Sequence, residues 1–362
     1  MRLSISSSND RLPTRYWLTI WVGILFFILA FILFFEFKIR DAGWMPSVVD
    51  SKQLWAYHRK RASEIGKKAI ILVGASRIQL DIDMDTVKDM SMLEPIQLAI
   101  DGSLFMPVLE NLAQDDKIKG TILISVNASI LSRFSHSQLR PSQWVKYYQD
   151  TYLRGNEPYR VINNKIKSFF DEHMVTRLQG AKPITVISQF ALQKPSLGNY
   201  LMTYPDRSRD ADYTKVQMPH FYAARLQRHF GKNLVEKTVS FEQLFSIYHK
   251  AILNIKPVNT RSFLKGVDAL MGLILMIEKR GGKVILVRFP TDKLLWEIDN
   301  RKYPRDIFWN ELKKRHPETI HFSDYPSLSK YHLPDGSHFD YRDKKSFTKA
   351  LMKIILSSDY AG

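Results

Sequence analysis

The sequence predicts an α/β protein in which an N-terminal transmembrane helix precedes a mostly parallel sheet covered by helices on both faces. A charge-free apolar run occupies residues 16–35, and short apolar runs alternate with helical patterns through much of the remaining chain. The composition, 45% hydrophobic and 25% charged, is that of a globular protein. Buried strands that alternate with helices are typical of parallel sheets, because the crossover helices cover both faces.

The first predicted element is the apolar run YWLTIWVGILFFILAFILFF at residues 16–35. In an α-helix, at about 1.5 Å per residue, it spans roughly 30 Å, the thickness of the hydrocarbon core of a bilayer. Tyr16, Trp17 and Trp21 lie at one end, where aromatic rings favour the membrane interface. We therefore predict a transmembrane helix over residues 16–37. A cleaved signal peptide is disfavoured, because the run is long and no A-x-A site follows it.

The segments on either side of this helix are assigned from its position. We expect residues 1–15 to be a cytoplasmic N-terminus and residues 38–68 to be a stalk with an approach helix. Three basic residues precede the helix and three follow it at a similar distance, so the positive-inside rule leaves the orientation open.

Five short apolar runs predict the strands of one α/β domain over residues 69–358. These runs cover residues 69–73, 96–100, 121–126, 283–289 and 319–322. Between and after them, helical patterns predict helices over 104–113, over 263–279, and from a cap at Asp343 to about residue 356.

A large insertion, at about residues 135–260, separates the third predicted strand from the fourth. Residues 131–260 contain 19 Lys and Arg against 9 Asp and Glu, which is more than half of the net charge of +17. We expect residues 195–219 to form a long loop near the site. The insertion either contributes to the site, where its charge suits an anionic glycan or lipid headgroup, or is a solvated elaboration of the surface.

The composition excludes several classes of function. The chain has no cysteine, which rules out a disulfide scaffold, a cysteine nucleophile, a zinc finger and an iron–sulfur site. The histidines show no metal-ligand spacing, and neither a P-loop nor a dinucleotide fingerprint occurs, so we expect no metal and no cofactor. A basic chain suggests nucleic acid, but no nucleic-acid-binding motif is visible, and we do not expect that partner.

Two segments contain candidate catalytic residues. Gly74-Ala75-Ser76-Arg77 directly follows the first predicted strand, and ligands of parallel sheets gather at the carboxyl ends of the strands. Near the end of the domain, Asp335 and His338 lie three positions apart in a turn. This spacing lets the carboxylate hold one imidazole nitrogen while the other takes a proton from a hydroxyl. Ser76, His338 and Asp335 together supply a nucleophile, a base and an orienting group.

In these residues the chain resembles the SGNH/GDSL hydrolase superfamily, especially its membrane-anchored cell-envelope branch. The resemblance covers about residues 68–130 and 262–358. It is found in ILVGASRIQLDID at 71–83, LAIDGS at 98–103 and LPDGSHFDYRDKKSFTKAL at 333–351. It implies a three-layer α/β/α domain, with the insertion outside the common core.

The resemblance also implies the roles of site residues. Ser76 would be the nucleophile, His338 the general base and Asp335 its orienting partner. The backbone N–H groups of Ser76 and Gly102 would contribute to the oxyanion hole, and Asn127 is the residue placed to complete it.

By this resemblance we expect a serine esterase or O-acyltransferase, anchored in the cytoplasmic membrane of a bacterium with its catalytic domain outside. Its substrate would be an acyl ester, of acetyl type, on a cell-envelope or exported polysaccharide, and a multi-span membrane acyltransferase is an expected partner. A catalytically silent subunit that binds an anionic glycan or scaffolds an export complex is the alternative. Ala75 and Ala128 favour that alternative, because the superfamily usually has aspartate at both positions.

Three further residues are candidates for substrate binding. Arg77 follows the candidate nucleophile, and either binds an anionic group of the substrate or forms a structural salt bridge. Arg288 begins the segment 288–292 at the end of the fourth predicted strand, and we expect it to border the site. Trp296 either offers a platform for a sugar ring or packs at the edge of the domain.

Overall fold

The computed structural model describes residues 15–133, 139–155, 157–177, 198–216, 218, 221–223, 225–226 and 240–357. The described residues form two compact units. One contains residues 15–46, 173–177 and 198–199, and the other contains the rest.

The secondary structure is named here in chain order. The helices are α1 Arg15–Asp41, α2 Lys52–Ile65, α3 Ser76–Leu80, α4 Met84–Ser91, α5 Met106–Ala113, α6 Ala128–Leu131, α7 Leu139–Tyr147, α8 Glu157–His173, α9 Phe241–Leu253, α10 Thr260–Glu278, α11 Lys293–Lys302, α12 Trp309–Arg315, α13 Pro326–Ser329 and α14 Tyr341–Ile355. The strands are β1 Ala69–Val73, β2 Glu94–Gln97, β3 Thr121–Ser125, β4 Leu201–Thr203, β5 Arg209–Ala211, β6 Lys283–Arg288 and β7 Thr319–His321.

The smaller unit is built around α1, which is long and apolar enough to cross a membrane. Its apolar part has a mean hydropathy of 2.8 and is unburied. Near the end of α1, Glu36 accepts hydrogen bonds from the backbone N–H groups of Val175 and Thr176 at 2.8 and 3.0 Å. Glu36 also pairs with Arg40 at 2.9 Å. The turn after α8 is therefore attached to the last turns of this helix.

The larger unit contains a five-stranded sheet in the order β2-β1-β3-β6-β7, with every pair parallel. The predicted α/β class with a mostly parallel sheet is confirmed. The chain adds β2 on one side of β1 and later strands on the other, so the winding reverses between β1 and β3. In sheets of this kind, ligands bind beyond the carboxyl ends of the strands at such a reversal.

Strand β2 begins two residues before its predicted start and ends at Gln97 rather than residue 100. It lies at the edge of the sheet, where Pro95 is tolerated because one side of an edge strand needs no backbone donor. Beyond its end, Leu98 and Ile100 still donate backbone hydrogen bonds to Leu72 and Gly74, at 2.9 and 3.1 Å. The chain therefore stays beside β1 as far as the candidate oxyanion segment.

Helices cover both faces of the sheet. In β1, Ile71 and Val73 pack in one apolar cluster, whereas Ile70 and Leu72 pack in another, as alternation along a strand requires. The first cluster includes residues of α2, α5, α10 and α12, and the second includes residues of α3, α4 and α14.

Two local predictions were wrong. The last helix is capped by Asp340 rather than Asp343. Asp340 has an extended backbone, and its side chain accepts a hydrogen bond from the Arg342 N–H. Residues 201–211 form a hairpin of β4 and β5 rather than part of a long loop, while residues 195–197, 217 and 219 of the predicted loop lie outside the described residues. The hairpin is held in place by Arg207, a buried arginine whose partners lie far away in the sequence.

The predicted insertion is described only in part. It includes α7, α8, the β4–β5 hairpin and α9, while residues 134–138, 178–197 and 227–239 lie outside the described residues. Its boundaries, like the other predicted domain boundaries, remain predictions.

Candidate active site

Ser76 lies at the carboxyl edge of the sheet, at the first turn of α3, three residues after β1 ends. Gly74 makes this turn possible. Its φ of +153° is rare for other residues, and a Cβ there would lie 2.8 Å from the Cβ of Ser125 at the end of β3. Two adjacent strands can therefore approach closely just below the serine.

The structure brings together the three residues that the sequence assigned to catalysis. The Ser76 Oγ lies 2.8 Å from His338 Nε2, and His338 Nδ1 lies 2.8 Å from Asp335 Oδ2. Ser76 and His338 are 262 positions apart in the chain. This is the arrangement in which an imidazole can take a proton from a hydroxyl while a carboxylate holds the ring.

The turn before α14 positions the carboxylate. Asp335 Oδ1 accepts the backbone N–H groups of Ser337 and His338 at 2.9 and 2.8 Å, so the side chain caps its own turn. Gly336 has a φ of +80°, and a Cβ there would lie 2.7 Å from atoms of both Leu295 and Tyr222. The turn therefore requires glycine at this position for conformation and for space.

Burial and charge set the protonation of the pair. Asp335 is 0% and His338 is 2% exposed. Burial opposes ionisation of Asp335, but the His338 imidazole and the Arg225 guanidinium outweigh burial and hold the pKa of the carboxyl below its ordinary value. Burial lowers the pKa of His338 despite the opposing charge of Asp335, and Arg225 and Arg77 lower that pKa further. A neutral imidazole beside an ionised carboxylate is the state that a general base needs.

Arg225 is a site residue that the sequence analysis missed. Its Nη2 lies 2.6 Å from Asp335 Oδ2 and 2.9 Å from His338 Nδ1, and its Nη1 donates to Ser337 Oγ at 3.0 Å. It belongs to the predicted insertion, where one arginine among many basic residues has no distinguishing local pattern.

Arg225 also bears on the tautomer of His338. A guanidinium only donates, so it can hydrogen-bond to Nδ1 only when that nitrogen carries no proton. When Nδ1 carries the proton, it donates to Asp335, and Nε2 is free to accept from Ser76. Asp335 Oδ2 can accept from Arg225 and from a protonated His338 Nδ1 at the same time, because a carboxylate oxygen has lone pairs for both donors.

Arg77 lies against the same turn. Its Nε donates to the Ser337 carbonyl at 3.4 Å. Burial lowers the pKa of Arg77, while the charges of Asp299, Asp81 and Asp335 oppose that shift. Arg77 stabilises the turn through its hydrogen bond to the Ser337 carbonyl, whereas substrate binding by Arg77 remains a prediction.

The two candidate oxyanion residues follow the strands on either side of β1. Gly102 has a φ of +63° and follows the segment that pairs with β1. Asn127 follows β3 and caps α6, with its Oδ1 accepting from the Ile130 N–H at 2.8 Å. Because Oδ1 is used in the cap, the Asn127 amide nitrogen is the group that remains to donate toward a substrate.

The other two predicted residues, Arg288 and Trp296, line a cleft that Asn127 also lines. The cleft is bounded by Asn127, Ala128, Ser129, Arg288, Trp296, Asp299, Asn300, Tyr303, Arg305, Phe308, Trp309 and His321. Arg288 is buried and already paired with Asp299 at 2.5 Å, and burial lowers its pKa to about 10. Trp296 packs its ring on Phe322 at 5.0 Å and also lines the cleft, while its role as a platform for a sugar ring remains a prediction.

One donor in this cleft lacks a partner. The indole N–H of Trp309 is buried and has no hydrogen-bond acceptor among the described residues. A buried unsatisfied donor costs free energy, and a polar group that came within reach of this buried nitrogen would satisfy it.

Asp81 is a second residue of the site that no sequence pattern singled out, and it holds the backbone next to His338. It is fully buried, and its Oδ1 accepts the backbone N–H of Phe339, next to His338, at 3.0 Å. Its other oxygen has no partner among the described residues. Burial raises the pKa of Asp81 well above its ordinary value, against the opposing charge of Arg77.

No protein-family model matches the chain, and no curated protein matches its sequence. In the part of the chain that the structure describes, no group of three or more His, Cys, Asp or Glu side chains is arranged to hold a metal ion.

Proposed function

We propose that the protein is a membrane-anchored serine esterase or O-acyltransferase of SGNH type that forms an acyl-enzyme at Ser76. The observation that carries the proposal is the unbroken contact from Ser76 Oγ through His338 to Asp335, with both distances at 2.8 Å. It lies where the winding of the sheet reverses, which is the usual position of a ligand site in this architecture.

In the proposed reaction, His338 Nε2 takes the proton of Ser76 as the serine oxygen bonds to the acyl carbonyl carbon. The tetrahedral intermediate collapses when His338 returns that proton to the leaving sugar oxygen, which leaves the acyl group on Ser76. A water or a second sugar hydroxyl then gives its proton to His338 and attacks the acyl carbon. His338 returns that proton to Ser76 Oγ as the bond between the acyl carbon and the serine oxygen breaks. The carboxylate of Asp335 stabilises the imidazolium in both steps.

The backbone N–H groups of Ser76 and Gly102 and the amide of Asn127 are the proposed donors to the intermediate oxygen. Donors of this kind stabilise the negative charge that develops on the oxygen in the transition state. Removal of one donor typically lowers kcat by a factor of about 10²–10³. The three donors come from the segments after β1, β2 and β3, which run side by side in the sheet.

We propose the cleft beside Asn127 as the binding site for a sugar of the substrate. Trp296 offers an aromatic surface, and Trp309 has an indole N–H without a partner among the described residues. Arg305 also lines the cleft, with its charge paired to Asp324 at 2.6 Å. The substrate class is an acyl ester, of acetyl type, on a cell-envelope or exported polysaccharide. We place the catalytic unit outside a bacterial cytoplasmic membrane, beside a multi-span membrane acyltransferase, and propose no nucleic acid partner and no cofactor.

Labelling with a fluorophosphonate probe tests the mechanism, because the probe reacts only with an activated serine. We expect labelling of the full chain and of a Ser91→Ala control, in which the altered serine lies at the end of α4. We expect neither labelling nor turnover of a small acetyl ester in Ser76→Ala, with unchanged thermal unfolding. Undiminished turnover in Ser76→Ala would overturn the mechanism.

The competing proposal is a catalytically silent subunit that binds an anionic glycan. The contact of Arg225 with both Asp335 and His338 favours it, because a guanidinium bonded to Nδ1 leaves the proton on Nε2. Absence of labelling in the full chain, together with intact binding of an anionic polysaccharide, would support this function instead.

A further inference from the structure

One short segment of the predicted insertion contacts the candidate active site at two places. Tyr222 and Arg225 lie three positions apart in this segment, whose described residues are helical. Residues three positions apart lie on the same side of a helix. Arg225 contacts the turn that contains Asp335 and His338, whereas Tyr222 contacts Asp292 at the start of α11.

Tyr222 is attached to the amino end of α11. It is buried, and its hydroxyl donates a hydrogen bond to Asp292 Oδ1. Asp292 caps α11, because its backbone is extended and the same oxygen accepts the Leu294 N–H at 3.1 Å. A carboxylate that caps a helix is held in one orientation by the helix. Asp292 is therefore a fixed acceptor for the Tyr222 hydroxyl.

Asp292 and Tyr222 both contact the turn that Arg225 approaches. The backbone N–H of Asp292 donates to the Gly336 carbonyl at 3.0 Å. The ring of Tyr222 lies against the same glycine, because a Cβ there would come within 2.7 Å of Tyr222 Cε2. The segment, the start of α11 and the turn thus meet at Gly336, one residue after Asp335.

The rest of the segment is held by apolar packing. Tyr222, Ala223 and Leu226 are buried in one cluster with residues of α9 and α11. Arg225 is the polar residue on the side of the turn, and its side chain is 28% exposed. Apolar packing has no preferred direction, whereas a hydrogen bond to a fixed acceptor does. The bond between Tyr222 and Asp292 can therefore set the rotation of the segment.

We infer that Tyr222 is a positioning residue, whose hydrogen bond to Asp292 holds Arg225 against the turn that contains Asp335 and His338. The insertion thereby completes the environment of the general base. The inference rests on the proposed function in that His338 is taken as this base. It assigns no contact with substrate to Tyr222.

Three charged groups face His338. They are Asp335 in its own turn, Arg225 in the insertion and Arg77 in α3. The two guanidinium groups lower the pKa of His338 and the carboxylate raises it. A guanidinium that moves away from the imidazole destabilises the imidazolium less, so the pKa of His338 rises. The pKa of His338 therefore reports where Arg225 lies.

NMR of the full chain in detergent micelles, with ¹⁵N-labelled histidine, tests the inference. The chain has 10 histidines, and the His338 signals are identified by their loss in His338→Gln. Titration of the imidazole nitrogens gives the pKa of His338 in each variant. Tyr222→Phe removes the hydroxyl and keeps the ring, and Tyr248→Phe is the matched control in the same apolar cluster.

We expect the pKa of His338 to rise in Arg225→Gln, to rise by a smaller amount in Tyr222→Phe, and to stay unchanged in Tyr248→Phe. In the Arg225→Gln background, Tyr222→Phe should add no further shift, because the group that it positions is absent. An equal shift in both backgrounds would overturn the inference. A lower melting temperature of Tyr222→Phe with an unchanged pKa would also overturn it, because the role would then be structural only.

The readout does not depend on turnover, which separates this inference from the proposed function. If the expected shifts occur in a chain that a fluorophosphonate probe does not label, the proposed reaction fails and the positioning role of Tyr222 stands. If the probe labels Ser76 and Tyr222→Phe leaves the pKa of His338 unchanged, the reaction stands and the positioning role fails.

Discussion

His338 is the residue whose environment determines when the proposed site is active. It is buried beside one carboxylate and near two guanidinium groups, and burial outweighs the carboxylate in setting its pKa below the ordinary value. A lowered pKa keeps the imidazole neutral, and therefore able to accept a proton, under more acidic conditions than an exposed histidine. The groups around His338 thus control the acidic limb of activity.

Arg225→Gln should move that acidic limb to higher pH. The positive charge of Arg225 lowers the pKa of His338, so its removal raises that pKa, and the base becomes protonated at a higher pH. The measurement is kcat/KM for a small acetyl ester against pH. Arg225→Lys, which keeps the charge, should shift the limb less, and an unmoved limb in Arg225→Gln would contradict this role.

Asp81→Asn should be at least as stable as the wild type at neutral pH, whereas Asp81→Ala should be less stable by about 1–3 kcal/mol. Asparagine keeps an acceptor for the Phe339 N–H, and alanine leaves that buried donor unsatisfied. The measurement is thermal or denaturant unfolding of the two variants beside the wild type.

The pH dependence of stability provides a second test of the protonation state of Asp81. Because the pKa of Asp81 is raised from an ordinary 3.8, the folded carboxyl keeps a proton that the unfolded chain releases. The contribution of Asp81 to the free energy of unfolding is fully present below the pKa that Asp81 has in the unfolded chain. It is lost as pH rises toward the pKa that Asp81 has in the folded protein. The wild type should therefore lose stability relative to Asp81→Asn as pH rises above about 4. A constant difference between the two would show that Asp81 is ionised in the fold.

Among the elements, the β4–β5 hairpin has a structural effect well beyond its size. Arg207 in its turn is fully buried and bonds to both carboxylate oxygens of Asp50, at 2.8 and 3.0 Å. It also donates to the carbonyls of Gln97 and Ala99 at 2.7 and 2.8 Å. Those carbonyls belong to the segment that leads into Gly102. Part of the predicted insertion thereby holds a candidate oxyanion segment in place.

Arg207→Met should lower the free energy of unfolding by about 3–5 kcal/mol, because Asp50 loses its charged partner and the buried Gln97 carbonyl loses its donor. The Nε2 of Gln79 still donates to Asp50 and to the Ala99 carbonyl. Arg209→Met is the matched control in the same hairpin. Arg209 pairs with the partly exposed Asp101, and such pairs contribute about 0–1 kcal/mol. Equal losses in the two variants, measured by denaturant unfolding, would contradict the structural role given to Arg207.

For the molecule as a whole, the proposal joins a membrane anchor to a reaction site and a neighbouring cleft. In the proposed function, the anchor would keep the enzyme at the surface where envelope polysaccharides are made or exported. The cleft provides aromatic and polar groups beyond the reacting ester, and binding energy from such remote groups can be used to position the ester. Small esters and polysaccharides should therefore respond differently to changes in the cleft.

Trp309→Phe should raise KM for an acetylated polysaccharide by roughly three- to tenfold, the equivalent of one lost hydrogen bond, while turnover of a small ester changes less. The substitution keeps the ring that packs at 4.9 Å from His321 and removes only the N–H. Trp17→Phe in α1 is the control. A KM unchanged for the polysaccharide would remove Trp309 from the binding site.

Local patterns in the chain were enough to predict the apolar helix, the positions of the five sheet strands, the serine after β1 and the Asp335–His338 turn. Apolar periodicity and turn chemistry act over a few neighbouring residues, so their signals can be read directly. The boundaries of β2 and α14 were less accurate, because strand pairing at the edge and the conformation of Asp340 determine them.

The contacts of Arg225, Arg207 and Asp81 became visible only in the folded chain. Arg225 is 113 positions from His338, Arg207 is 157 from Asp50, and Asp81 is 258 from Phe339. Each looks locally like an ordinary charged side chain. The free energy of a buried charge or donor depends on its partners, and packing of distant segments chooses those partners. For that reason the candidate catalytic residues could be named from the chain, while the groups that tune and support them required the three-dimensional structure.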